Sequence, residues 1–289
     1  MPNADLQQRQ VLVIGAGPSG AIASALLKRQ GHDVLVIERQ RFPRFSIGES
    51  LLSHCLDFVE EAGMLEALQA AGFQHKNGAA FAWGDEYTAF DFGQTFTQGK
   101  PSTFQVQRAR FDQLLADQAE AQGVEIRYEH EIVSADMNGE QPQVRVRRPD
   151  GSEYTVQAGF VLDASGYGRV LPRMLDLEAP SAFPVRRAVF THIEDRIDHP
   201  GFDRDKILIT THPEHRDIWF WTIPFSDGPT SLGVVAAAEH HANSPEDLVA
   251  RPTHSVAQAP TPAPVLAHAC LDTPPRPLGP SFAHAPPLH

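Results

Sequence analysis

The residues best suited to chemistry stand near the start of the chain. Gly15-Ala16-Gly17-Pro18-Ser19-Gly20 follows a short apolar run, and an acid, Glu38, comes eighteen residues after the last of these glycines. The first glycine makes a tight turn, the second lets a pyrophosphate approach bare backbone, and the third lets a helix and a strand come close. The N–H groups and positive dipole at the helix start then face the phosphates, and the acid accepts from a ribose hydroxyl. In a strand–turn–helix context this pattern predicts a dinucleotide site. Its candidate contacts are Gly15, Ala16, Gly17, Ser19, Gly20, Glu38 and the adjacent Arg39. A second segment, Trp219-Phe-Trp221-Thr-Ile-Pro224, holds two of the three tryptophans of the chain. On a strand, residues 219 and 221 point the same way, so two indoles share one face beside a proline. Taken alone, such a pair reads better as the packing of an antiparallel sheet core.

The elements that must position these residues alternate between strand and helix patterns. Val11 to Ile14 is a buried strand, Ala21 to Gln30 a helix closed by Gly31, and Asp33 to Glu38 a second buried strand, which makes a βαβ opening. Ser50 to Ala62 and Arg108 to Gln122 read as amphipathic helices. The second is followed by strand Val124 to Tyr128, and Phe160 to Ala164 is a further apolar strand. Alternating stretches at 79–83, 87–92, 185–193, 206–211, 217–223 and 231–237 predict an antiparallel sheet. The fold class is therefore α/β, a Rossmann-like nucleotide-binding domain interleaved with an antiparallel β domain. Residues 1–78 and 104–178 form the first, and 79–103 and 179–250 the second.

Composition narrows the partners. The 289 residues are 42% hydrophobic and 21% charged, which excludes collagen-like and wholly disordered classes. The 24 basic and 36 acidic side chains leave a formal charge of −12, which argues against nucleic acid and anionic membrane surfaces as partners. No apolar run is long enough for a membrane helix, and the polar N-terminus does not read as a signal peptide. Cys55 and Cys270, the two cysteines, have neither metal-ligand spacing nor a disulfide framework, so no metal site is expected and a reducing cytoplasm is.

The glycine motif alone does not choose between FAD and NAD; the neighbouring segments carry a resemblance that does. Glu38-Arg-Gln-Arg-Phe-Pro-Arg-Phe-Ser-Ile-Gly-Glu-Ser50, Arg108-Ala-Arg-Phe-Asp112 leading to Gly123-Val-Glu-Ile126, and Phe160-Val-Leu-Asp-Ala-Ser-Gly166 resemble successive motifs of the aromatic-hydroxylase (glutathione-reductase-type) FAD proteins. The resemblance implies that Arg108 lies by the ribityl and pyrophosphate portion of FAD, that Ile47, Gly48 and Ser50 belong to a loop beside the isoalloxazine, and that Asp163 ends a cofactor-binding strand. The Trp-x-Trp-x-Ile-Pro hexad is similar to a signature of the flavin-dependent halogenases. That implies a wall of Trp219, Trp221 and Pro224 between flavin and organic substrate, and a chemistry in which reduced FAD, O₂ and halide give hypohalous acid. The acid would travel to a buried lysine, for which Lys76 in Gly72-Phe-Gln-His-Lys76-Asn-Gly matches the position. The expected substrate is an electron-rich aromatic of phenol or pyrrole type, free or carrier-bound. With no second Gly-x-Gly-x-x-Gly for nicotinamide, a partner reductase is expected to supply the reduced FAD. A monooxygenase or saturase of the same fold, or a non-catalytic flavin-binding remnant, are the alternatives.

The resemblance runs from about Val11 to Ala250, where composition changes. Residues 251–289 hold 10 of the 24 prolines, three charged residues and no lysine or glutamate. A later pyrophosphate-closing segment of the family is not found in them. The expectation is a disordered or out-of-frame tail and a chain lacking part of its FAD site.

Overall fold

In the computed structural model the described residues are 5–96, 98–181, 183–194 and 202–237, together with the backbone of three short C-terminal strands. The elements in chain order are β1 (Leu6–Ile14), α1 (Pro18–Arg29), β2 (Val34–Ile37), α2 (Cys55–Glu61), α3 (Leu65–Ala70), β3 (Gln74–Lys76), β4 (Gly78–Trp83), β5 (Glu86–Asp91) and β6 (Thr103–Gln105). Then come α4 (Arg108–Ala121), β7 (Glu125–Arg127), β8 (Glu131–Asp136), β9 (Gln143–Arg147), β10 (Glu153–Asp163), α5 (Val170–Met174) and β11 (Ala179–Pro180). Last are β12 (Arg186–Glu194), β13 (Lys206–Thr211), β14 (Trp219–Pro224), β15 (Pro229–Ala237), β16 (Cys270–Leu271), β17 (Arg276–Leu278) and β18 (Ala283–His284).

The first sheet has the order β7-β2-β1-β10-β9-β8. β7, β2, β1 and β10 are mutually parallel, and β10, β9 and β8 form an antiparallel meander. The last four residues of β1 and all of β2 are buried because both faces are covered, as an apolar run in a parallel strand requires. Val11, Val13, Val34 and Val36 face α1, α2 and α4, whereas Leu12, Ile14, Leu35 and Ile37 pack with Ile132, Val144, Tyr154 and Val156 of the meander. The second sheet, β16-β12-β15-β14-β13-β4-β5, carries the tryptophans, and β3 pairs with β6 in a small separate ribbon.

Several sequence expectations shift. α1 begins at Pro18 rather than Ala21, because proline suits the first helical position and places Gly20 inside the first turn. The helix expected over 50–62 begins only at Cys55: the N–H of Val106 bonds to the Glu49 carbonyl at 2.7 Å and that of Leu51 to the Phe104 carbonyl at 3.1 Å, which holds residues 49–51 extended along β6. The second sheet is not wholly antiparallel, since β4 and β13 run parallel. Alternation in sequence reports burial of one face and carries no strand direction. Within 251–289, most residues lie outside those described, as does the expectation made for them. The three short strands there are paired, β16 and β17 with β12 and β18 with β11. Among the described residues no helix is long and apolar enough to cross a membrane.

Candidate functional site

The glycine turn joins β1 to α1 with its backbone packed tightly. A Cβ on Gly20 would fall 1.8 Å from the Gly15 carbonyl oxygen, and Gly15 itself has φ +97°, so neither position admits a side chain without rearrangement. Gly17 differs: its missing Cβ faces open space bordered by the Arg44 guanidinium at 3.3 Å. A cradle of bare backbone closed by a cation fits a pyrophosphate. Glu38, buried at the end of β2, accepts from the Ala16 N–H at 2.9 Å through Oε2 and from the Gln40 N–H at 2.8 Å through Oε1, which fixes its carboxylate over the turn. Ser19 and Arg39 are exposed at the rim. Asp163 spends both oxygens locally, on the N–H groups of Ser165 and Leu171 at 2.9 and 2.8 Å, and so shapes the turn after β10.

Arg44 lies inside the segment quoted above, but the pattern gives no reason to single it out. Its Nη1 is 3.3 Å from Oδ2 of the fully buried Asp112. The same carboxylate takes Nε and Nη2 of Arg108 at 2.7 and 3.1 Å. One buried anion thus orients two guanidinium groups, one beside the glycine turn and one beside the next loop. Arg108 also donates to the carbonyl of Ile47, and Gly48, with φ +98°, leaves room for that approach.

Residues 47–51 gather the rest of the site. Ile47 packs against the cluster of Phe190, Trp221, Ile223 and Phe225. Glu49, 2% exposed, places Oε1 2.8 Å from Nε2 of His192 on β12, while its Oε2 is buried with no hydrogen-bond partner. The Ser50 hydroxyl is likewise buried without a partner. The Leu51 carbonyl accepts from Lys76 Nζ at 2.8 Å. Lys76 is 3% exposed and rests over the Phe92 ring at 5.1 Å. Burial lowers its pKa from 10.5 to about 8, against a smaller opposing effect of the neighbouring Cys55. The surface position usual for lysine is thereby excluded here.

The indoles share one face as expected but are tilted by 51° at 6.2 Å rather than stacked. Trp221 lies flat over Gly233, where a Cβ would sit 2.1 Å from the ring, and its Nε1 donates to Ser231 Oγ at 3.1 Å. Phe190 stacks on Trp221, and Phe45 on Phe190, so a file of four rings runs from loop to sheet. Pro224, buried, ends β14 opposite Thr230. Lys76 and the tryptophans meet through the 47–51 loop, at its two ends.

Residues 8–261 match the family model described as an FAD binding domain, a match that continues past Ala250. The tryptophan 2-halogenase of Chondromyces crocatus is 30% identical over 239 residues, which is 80% of this chain and 44% of that protein. The 1H-pyrrole-2-carbonyl-[peptidyl-carrier protein] brominase of Pseudoalteromonas luteoviolacea is 28% identical over 253 residues, 85% of this chain and 60% of that one. The chain therefore spans about half the length of these curated relatives. A solved flavoprotein/dehydrogenase from Cytophaga hutchinsonii is similar at TM-score 0.86 and 38% identity, with 94% of this chain and 66% of that one covered. The glycine cradle, the buried acid at the end of β2 and the family match over most of the sequence place this chain in the FAD-binding domain family, and the curated proteins it is similar to include flavin-dependent halogenases.

Proposed function

We propose that this chain forms the FAD-binding and halogen-handling part of a flavin-dependent halogenase acting on an electron-rich aromatic, a phenol or pyrrole, free or carrier-bound. The observation that carries the reading is the 47–51 loop, which connects the Arg108 anchor and the Trp221 cluster at one end to a buried lysine at the other. Gly15, Ala16, Gly17, Gly20 and Ser19 would hold the pyrophosphate with Arg44, Glu38 and Arg39 the adenosine ribose end, and Ile47, Gly48, Ser50 and Arg108 the flavin end. Asp163 shapes the adjoining turn. Reduced FAD, supplied by a partner reductase, provides hypohalous acid from O₂ and halide. Trp219, Trp221 and Pro224 keep the organic substrate off the loop, so oxygen is not delivered to its ring. Lys76 receives the electrophilic halogen on an amine that burial keeps partly unprotonated near neutrality. Two cysteines without a pairing motif support a reducing, cytoplasmic setting.

The test supplies the purified chain with reduced FAD, halide, O₂ and a panel of phenols and pyrroles, and follows products by mass spectrometry. Lys76→Met is expected to lose halogenated product while consumption of reduced FAD continues. Product formation undiminished in that variant overturns the reading. A second reading, a monooxygenase or reductase, draws on the similarity to the Cytophaga flavoprotein/dehydrogenase. Hydroxylated or reduced product in place of halogenated product would establish it.

A further inference from the structure

The two carboxylate oxygens of Glu49 have unequal surroundings. Oε1 meets Nε2 of His192 at 2.8 Å, whereas Oε2, sealed from solvent on a residue 2% exposed, has no hydrogen-bond partner. The cations that reach this loop are committed elsewhere. Arg108 bonds to Asp112 and to the Ile47 and Gly48 carbonyls, and Lys76 bonds to the Leu51 carbonyl. The next residue, Ser50, also carries a buried hydroxyl without a partner, so two successive residues of the loop hold unused polar atoms. An unbonded buried oxygen costs more than a typical hydrogen bond contributes, and a carboxylate oxygen costs most, so such an atom calls for a donor. Nor is the carboxylate free to swing away. The Glu49 carbonyl accepts from the Val106 N–H at 2.7 Å, and the His192 ring is packed edge-on to Phe190 and Phe225.

We infer that Glu49 is a further cofactor-binding residue, whose Oε2 accepts a hydrogen bond from the flavin end of FAD, either from the ring N–H or from a ribityl hydroxyl. The inference rests on the reading of Ile47, Gly48, Ser50 and Arg108 as the flavin-end site. An ionised carboxylate only accepts, so its partner must bring an N–H or an O–H, and the flavin and ribityl portions carry both. The two oxygens of Glu49 then divide between cofactor and sheet. His192 stands opposite Ser231 in the β12–β15 register, and Ser231 Oγ takes the Trp221 indole N–H at 3.1 Å. Glu49 thereby sets the flavin in register with the tryptophan wall through side chains that are already fixed.

The experiment titrates the purified chain by calorimetry with FAD and with ADP, which shares the adenosine and pyrophosphate but has no flavin end. Glu49→Leu, close in size and without polar atoms, is expected to weaken FAD by about tenfold or more and leave ADP unchanged. Glu49→Gln, whose amide oxygen still accepts, should recover most of the loss. FAD methylated at the ring N–H separates the two donors. A loss with that analogue that disappears in Glu49→Leu assigns the ring N–H, and wild-type binding as tight as that of FAD assigns a ribityl hydroxyl. In NMR of isotope-labelled histidine, the His192 signal, identified by its loss in His192→Phe, is expected to move with FAD and not with ADP. An unchanged ratio of FAD to ADP affinity in Glu49→Leu, or a His192 signal indifferent to FAD, overturns the inference and leaves the cofactor site standing. A wild-type chain that binds neither FAD nor ADP overturns the reading of the site itself.

Discussion

Glu49 and His192 lie 143 positions apart and touch at 2.8 Å, joining the loop beside the glycine cradle to the sheet that carries the tryptophans. The imidazole is set between Phe190 and Phe225, edge-on to both at 6.3 and 5.7 Å, so its ring plane is fixed by packing as well as by the carboxylate. A buried carboxyl with one satisfied oxygen depends heavily on that single partner. Replacing Glu49 by Gln and His192 by Phe, singly and together, should reveal a coupling of ~1 kcal/mol or more in urea unfolding. Additive losses would mean that the contact does not tie loop to sheet.

The lysine should leave its mark on stability as a function of pH. Its pKa is lowered from 10.5 to about 8 by burial, so between those values the unfolded chain binds more protons at this site than the folded one. Stability therefore rises with pH through that window. Measured against Lys76→Met to remove other titrations, the wild type should gain up to ~3 kcal/mol between pH 8 and 10.5. A flat difference across that range would show that Lys76 is not desolvated.

Two glycines of the cradle should fail in different ways. Gly20→Ala drives a methyl into the Gly15 carbonyl and is expected to destabilise the fold as a whole. Gly17→Ala meets only the end of the Arg44 side chain, which can move. It should leave the melting temperature nearly unchanged while weakening FAD binding several-fold, as read by flavin fluorescence titration. Equal effects of the two on melting would mean that the turn has no distinct phosphate-facing position.

Gly233→Ala tests the seating of the wall. Its new methyl would occupy the place of the Trp221 ring, so the indole must rotate off the sheet and lose its bond to Ser231. A loss of about 1–3 kcal/mol is expected, with a shift in tryptophan emission as Trp221 moves from its 8% exposure. Unchanged emission would show that the ring position does not depend on the bare backbone beneath it.

How much of this was legible in the sequence differs by residue. The glycine cradle and Glu38 are local: strand, turn, helix and acid follow within one βαβ unit, and the pattern states their geometry. Arg44 stands in the same quoted segment, yet its place beside Gly17 comes from Asp112, far along the chain on α4. The Glu49–His192 contact has no sequence signal, because nothing local links a loop acid to a histidine on β12. The helical spacing of Leu51, Cys55, Leu56 and Val59 misled for residues 50–54, where pairing of the backbone with β6 outweighs an apolar pattern. Lysine burial is likewise a tertiary fact; only the likeness to known halogenases drew attention to position 76.

A single residue, Asn77, separates Lys76 from β4, and it is pinned on three sides. Its N–H donates to the Asp205 carbonyl at 2.8 Å, its carbonyl accepts from the Phe92 N–H at 2.7 Å, and its Oδ1 accepts from Lys206 Nζ at 2.7 Å. Next to it, Gly78 passes so close to Phe90 that no side chain fits. The lysine is thus a fixed point relative to the β4–β5 hairpin, whose Phe81, Trp83 and Phe90 remain exposed. A library varying those three aromatic positions can therefore reshape the hairpin's outer face without re-registering the amine.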